Sequence, residues 1–145
     1  MLAVDPQRAR DQVAERQLAF DLLPVHLREA AVGHLVRNIE ALDWRLSTGF
    51  IGIGHLNPQL TLAGRHDVAC RLLLQDAYPS WLYPVRHGAT TIWERWNGWT
   101  HEDGFFDPAM NSFNHCSLGS VGEWLFRHVA GIELDPVVPG FQRFV

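Results

Sequence analysis

VHLREAAVGHLVRNIEAL, residues 25–42, sets Leu27, Ala31, Leu35, Ile39 and Leu42 at steps of four, four, four and three. At 3.6 residues per turn these positions form one apolar stripe, so the stretch is predicted to be an amphipathic helix packed on a neighbour. Upstream, residues 7–22 repeat the pattern more weakly through Ala9, Val13, Ala14 and Leu18, with Pro24 between the two segments. Together they read as a helical hairpin. Downstream, NPQLTLAGR (57–65) offers Asn57 as a cap, Pro58 at the first helical position and Gly64 as a stop, after which Asp67 can cap VACRLLLQDA (68–77). That predicts a second hairpin with a tight turn.

Beyond residue 77 the periodicity breaks, because Pro79, Pro84, Gly88, Gly98, Gly104 and Pro108 interrupt any long element. A long loop in a helical scaffold is where function usually sits. Helical order is expected again from Ser117, where Leu118, Val121, Leu125 and Val129 share a face and Gly119 and Gly122 allow a neighbour to come close. The closing IELDPVVPGFQRFV (132–145) is Pro-rich and β-branched, and is expected to be extended and to lead onward. The hairpins recur at a coarse spacing like that of helical-repeat proteins, but the consensus residues of such repeats are absent and the loop 77–116 is too long for them.

Composition bounds the chemistry. The 145 residues fit one domain, and 47% apolar with 19% charged residues is globular. All 12 basic residues are Arg, and 16 acidic residues leave a net charge of −4. A chain without Lys has no Schiff-base lysine and no P-loop lysine, and its charge is not that of a nucleic-acid binder. Cys70 and Cys116 are too far apart for a CxxC motif and are expected to be small core residues. Neither a leader peptide nor an apolar run of membrane-spanning length is visible, so the expected location is cytoplasmic, with no membrane partner.

Several motif-like runs fail on spacing. The glycines of GFIGIG (49–54) run GxxGxG, the reverse of the dinucleotide fingerprint, with no βαβ unit around them. Among eight His there is no HExxH and no i, i+4 pair, so no metal site is expected. Asp103 and Asp107 flank Gly104 as in a turn, without the other oxygen ligands of a calcium loop. No cofactor is called for.

TTIWERWNGW (90–99) is different, since it holds three of the six Trp around one carboxylate, Glu94. Indole faces stack on the apolar C–H patches of sugars, and a carboxylate among them can take a proton from water. Alternatively Trp93, Trp96 and Trp99 are core anchors with Glu94 exposed between them. Both readings stand on composition alone.

The blocks AFDLLP (19–24), LSTGFIG (46–52), RLLLQDAYPSWLYPV (71–85), GATTIWERW (88–96), DPAMNSFNH (107–115) and GSVGEWLFRHVAGI (119–132) together resemble the catalytic module of bacterial α-L-rhamnosidases, of the six-hairpin glycosidase group. The resemblance spans most of the chain and is most specific from Gly88 to His115. It implies a mainly α fold, a partial (α/α)6 six-hairpin barrel in which helical hairpins carry a long Trp-rich loop and a short extended C-terminal tail. Residues 1–132 would be the C-terminal part of the barrel, and 133–145 a linker toward a following β-domain.

The resemblance further implies an inverting glycosidase acting on terminal α-L-rhamnosides, with Glu94 as the general base, His115 as a sugar contact, and Trp81, Trp93 and Trp96 as pocket walls. Where the family has an aromatic residue after the motif histidine, this chain has Cys116. Inversion also needs a second carboxyl group roughly 6.5–9.5 Å from the first. In the family that acid lies in an earlier hairpin, so the chain is expected to lack it and to be inactive alone, with self-association through an open barrel edge. The alternative is a non-catalytic carbohydrate-binding or structural remnant. A helical-repeat interaction module is the third reading.

Overall fold

The computed structural model describes residues 14–138 and 140–144. Its helices are α1 (Ala14–Ala19), α2 (Val25–Ala41), α3 (Phe50–Leu62), α4 (His66–Leu74), α5 (Leu82–Arg86) and α6 (Val121–Trp124). Two short strands, β1 (Trp99–Thr100) and β2 (Gly104–Phe105), pair antiparallel in the long loop. A 3-10 turn at Ser117–Ser120 precedes α6, and a π-helical turn at Leu125–Val129 follows it.

Helix α3 is the hub. It packs against α1, α4, the 3-10 turn and α6, while α1 also packs against α2. Its buried positions Ile53, Leu56 and Leu60 fall at steps of three and four, and Val68, Ala69 and Leu72 of α4 answer them. With Leu35, Val36 and Ile39 of α2, Leu46, Trp81, Leu118 and Trp124, they form one core. Each such aliphatic side chain contributes about 1.5–3 kcal/mol when fully buried.

The predicted α2 is present, but only its C-terminal half is buried, and Leu27 at the other end of the stripe is 44% exposed. For the upstream helix, Ala9 and Val13 lie outside the described residues, and Ala14 is buried as expected. The predicted start at Asn57–Pro58 is wrong: α3 begins eight residues earlier, at Phe50 and not Pro58, and runs through Pro58, with Asn57 buried. Pro58 cannot donate to the Gly54 carbonyl, yet the stripe through Ile53, Leu56 and Leu60 outweighs that one missing bond. Gly64 does stop the helix, at φ +76°. Asp67 is not a cap either, since it sits inside the first turn of α4, where it accepts from Arg65.

At the C-terminal end the uniform helix expected from Ser117 is three tighter and wider turns in succession. The buried anchor is therefore Trp124, while Val129 is 52% exposed. Gly119 is packed as expected, for a Cβ there would meet Ile92 at 3.1 Å, but Gly122 faces open space. Cys116 is exposed and so not a core residue, whereas Cys70 packs against the core. The tail turns back on itself through a Leu134–Phe144 bridge, with Arg127 holding Glu133 and Glu123. Among the described residues, no helix is long and apolar enough to cross a membrane.

One buried charge is unaccounted for by packing. Glu15 is fully buried between α1 and α3, where a Cβ on Gly52 would collide with its Oε1, and among the described residues neither carboxyl oxygen has a hydrogen-bond partner. Desolvation pushes its carboxyl above the ordinary carboxylate range, against a smaller opposing pull from its backbone N–H and Arg16. A folded-state pKa raised above the unfolded one means that stability is fully present below the unfolded value, near pH 4, and is lost as pH rises through the folded value. Glu15→Met is expected to remove that slope and to gain about 1–3 kcal/mol at pH 7, read from urea midpoints at pH 4 and 7. Equal midpoint shifts at both pH values would contradict it.

Candidate functional site

The loop from residue 75 to 116 leaves the core and returns to it at nearly one point, because the buried Trp81 donates its Nε1–H to the Leu118 carbonyl at 2.9 Å. Ser80 Oγ accepts the Tyr83 N–H at 3.2 Å and starts α5, which ends at Gly88 with φ +86°. From there the Trp-rich stretch runs through coil, bends and a turn at 96–97, and meets the NSFNH block coming back.

These two segments form a clasp. The Glu94 N–H donates to the Ser112 carbonyl at 2.8 Å, and the His115 N–H donates to the Ile92 carbonyl at 2.8 Å. Thr91 adds a hydroxyl bond to the Phe113 carbonyl. Glu94 and His115, 21 positions apart in sequence, are thus fixed on two adjoining loop segments. Each is half-buried.

The carboxylate of Glu94 accepts the Ser112 N–H on Oε2 at 2.8 Å. Its neighbour Arg95 turns away, donating Nε–H to the Met110 carbonyl at 2.8 Å with its guanidinium 4.7 Å over the Phe106 ring. Glu94 is therefore not tied up by the adjacent cation. The His115 ring stacks on Phe50 of α3 at 5.0 Å, and its Nδ1 accepts the Ser117 N–H at 3.3 Å. That bond places the ring proton on Nε2, a donor suited to a hydroxyl oxygen.

The indoles brace this clasp. Trp93 meets Phe113 edge-on at 5.0 Å and Trp96 meets Trp81 edge-on at 5.9 Å. Trp81 and Trp93 are 8% and 7% exposed, and Trp96 is half-buried. Trp99 opens the β1–β2 hairpin and packs with His101 at 4.6 Å and His87 at 6.4 Å, beside Tyr83. Partial burial, and then Glu102, push the Tyr83 hydroxyl above its usual pKa. Asp103 lies in the hairpin turn, as its spacing suggested, and Gly104 opens β2 at φ +71°. Among the described residues, no group of three or more His, Cys, Asp or Glu could hold a metal ion.

Three residues of the site carry no signal of their own in the sequence. Phe50, Asn111 and Ser112 lie inside the LSTGFIG and NSFNH blocks, but only the fold shows that they touch His115, the loop carbonyls and Glu94.

Helical hairpins thus carry a clasped carboxylate, an imidazole and a set of indoles on one loop. Residues 9–129 match the model of the bacterial alpha-L-rhamnosidase six-hairpin glycosidase domain. The chain is 54% identical over 128 residues to an alpha-L-rhamnosidase of Streptomyces avermitilis, covering 88% of this chain and 12% of that protein. To an alpha-L-rhamnosidase of an Alteromonas species it is 41% identical over 128 residues, again covering 88% of this chain and 14% of the relative. The crystal structure of the Streptomyces avermitilis enzyme complexed with L-rhamnose superposes on 90% of this chain and 12% of its own, with a TM-score of 0.84 and 48% identity. The Aspergillus terreus enzyme superposes on 86% and 14%, with a TM-score of 0.79 and 36% identity. The chain belongs to the bacterial alpha-L-rhamnosidase six-hairpin glycosidase domain family. It spans about an eighth of the length of the curated relatives it matches.

Proposed function

We propose that this chain supplies the general-base half of an inverting α-L-rhamnosidase site. Glu94 deprotonates the attacking water, His115 donates from Nε2 to a sugar hydroxyl, and Trp81, Trp93 and Trp96 form the wall against which the ring lies. The clasp that joins Glu94 to His115 is the observation that supports this reading, for it brings a proton acceptor and a hydroxyl donor to one place from two motif blocks. The similarity to an enzyme crystallised with L-rhamnose supports the sugar. Inversion requires a second carboxyl group as acid, on the opposite side of the sugar from the base. We assign it to a part of the protein outside these residues, along with the hairpins that complete the barrel. Residues 133–145 lead toward a following β-domain. Those hairpins would also cover the apolar side chains Phe20, Leu22 and Val25, which are 57%, 68% and 78% exposed here. Left uncovered, such surfaces associate.

The test is a chimera in which residues 14–129 replace the aligned segment of the Streptomyces avermitilis enzyme. It is expected to hydrolyse an aryl α-L-rhamnoside with inversion, followed by NMR of the anomeric proton. A folded chimera that binds L-rhamnose without hydrolysing the aryl glycoside would favour the non-catalytic reading. In the same chimera, His115→Ala is expected to weaken L-rhamnose about five- to tenfold, the worth of one hydrogen bond, by calorimetric titration. Equal affinity in the folded variant would reject the contact.

A further inference from the structure

We infer that Asn111 is the positioning residue for the Glu94 carboxylate, and that it leaves Oε1 as the oxygen turned toward the water. The inference rests on the base assignment above. Glu94 Oε2 is held by the Ser112 N–H, and a backbone amide can be aimed only by fixing its own peptide plane. That plane joins Asn111 to Ser112. The structure fixes it from both sides.

On one side, the Asn111 amide donates Nδ2–H to the Gly98 carbonyl at 2.9 Å and, more weakly, to the Phe106 carbonyl at 3.3 Å. Gly98 is buried, and a Cβ there would lie 2.8 Å from Asn111 Oδ1, so this approach is open only to glycine. The same Gly98 carbonyl accepts the Phe106 N–H at 3.0 Å, which couples the amide to the hairpin base. The preceding peptide is held as well, since Arg95 donates to the Met110 carbonyl, at a residue whose φ of +63° is costly for a side chain and persists only where neighbours over-determine it; on the other side, the Ser112 carbonyl accepts the Glu94 N–H at 2.8 Å. The peptide that aims at Glu94 is therefore restrained through the residues on both of its ends. Among the described residues nothing donates to Oε1, so that oxygen keeps its lone pairs for a water.

The chemistry of the residue matters as much as its shape. Two carbonyl acceptors facing one side chain require a double N–H donor, which the Asn carboxamide supplies and a carboxylate of the same size does not. Asp at this position would set an anion against two carbonyl oxygens. It would push the 111–112 peptide away and turn the Ser112 N–H off Oε2. Asn111 keeps its Oδ1 buried and acts through Ser112.

The test uses the chimera with Asn111→Ala and Asn111→Asp. Misaiming a base costs turnover and not ground-state binding, so kcat at pH 7 is expected to fall about ten- to a hundredfold, with KM within about twofold. Because a protonated carboxyl can donate again, the Asp variant is expected to recover relative to wild type below about pH 5, whereas the Ala variant is not. A space-filling role predicts wild-type turnover for the nearly isosteric Asp, and that result would overturn the inference. Loss of turnover in Glu94→Gln with none in Asn111→Asp refutes the positioning role alone. Retained turnover in Glu94→Gln refutes the base assignment beneath it. Should the chimera be inactive, hydrogen exchange on the 145-residue chain decides: the Glu94 and Ser112 amides are expected to exchange at least tenfold faster in Asn111→Ala, and unchanged rates would refute the clamp.

Discussion

Glu94→Gln is expected to lower hydrolysis of an aryl α-L-rhamnoside in the chimera by at least about a hundredfold, since a positioned base contributes on that order or more. The amide oxygen of Gln can still accept the Ser112 N–H, so the clasp and the fold should survive the change. What Gln cannot do is take a proton from water. Affinity for L-rhamnose should hold, because a bound product needs the hydroxyl contacts and the wall but no base. The loss should therefore appear in kcat while the melting temperature stays put. Turnover near wild type in this variant would remove Glu94 from the mechanism.

Trp124→Ala carries the largest expected effect on stability. The ring is completely buried, its Nε1–H donates to Thr61 Oγ1 at 2.9 Å, and the same hydroxyl lies 3.1 Å from His66 Nδ1. His66 in turn packs against the indole at 5.6 Å. One side chain thereby joins α6, the end of α3 and the start of α4. Truncation leaves a cavity of indole size and strips the Thr61 hydroxyl of its donor, for a cost of about 3–5 kcal/mol, measured as the drop in urea unfolding free energy. Trp124→Phe keeps most of the packing and loses the hydrogen bond, so it should cost about 1 kcal/mol. If the two variants unfold alike, the cavity argument fails.

The helical character of the chain was legible because burial repeats locally: the stripe on α2 and the glycine stop after α3 each declare themselves within one turn. Asn57–Pro58 misled because a cap signal and a tolerated interior proline are spelled the same way, and only the burial of Ile53 on one side and Leu60 on the other decides between them. Trp124 was missed for another reason. The backbone there passes from a 3-10 turn to an α turn to a π turn, so a single 3.6-residue period, right for Leu118, Val121 and Leu125, runs on to exposed Val129 and passes over buried Trp124. At the site, the order of the motif blocks singled out Glu94 and His115. The backbone bonds that join their segments are non-local, as is the bond from Ser112 to the carboxylate, and no spacing rule encodes either.

The hydrogen bond from Trp81 to Leu118 also bears on how this domain can diversify. It pinches the long loop shut at its neck, with 37 residues of sequence separation between its two ends. Changes inside the pinch do not alter the distance the helices must span. For a flexible loop, even a doubling of length adds only about 0.6 kcal/mol of closure entropy. The turn at 101–103, at the tip of the small hairpin near the middle of the pinched segment, is exposed. Insertions there would leave the clasp and the helical core untouched. The loop behaves as a cassette, in which new sequence can be tried without renegotiating the fold.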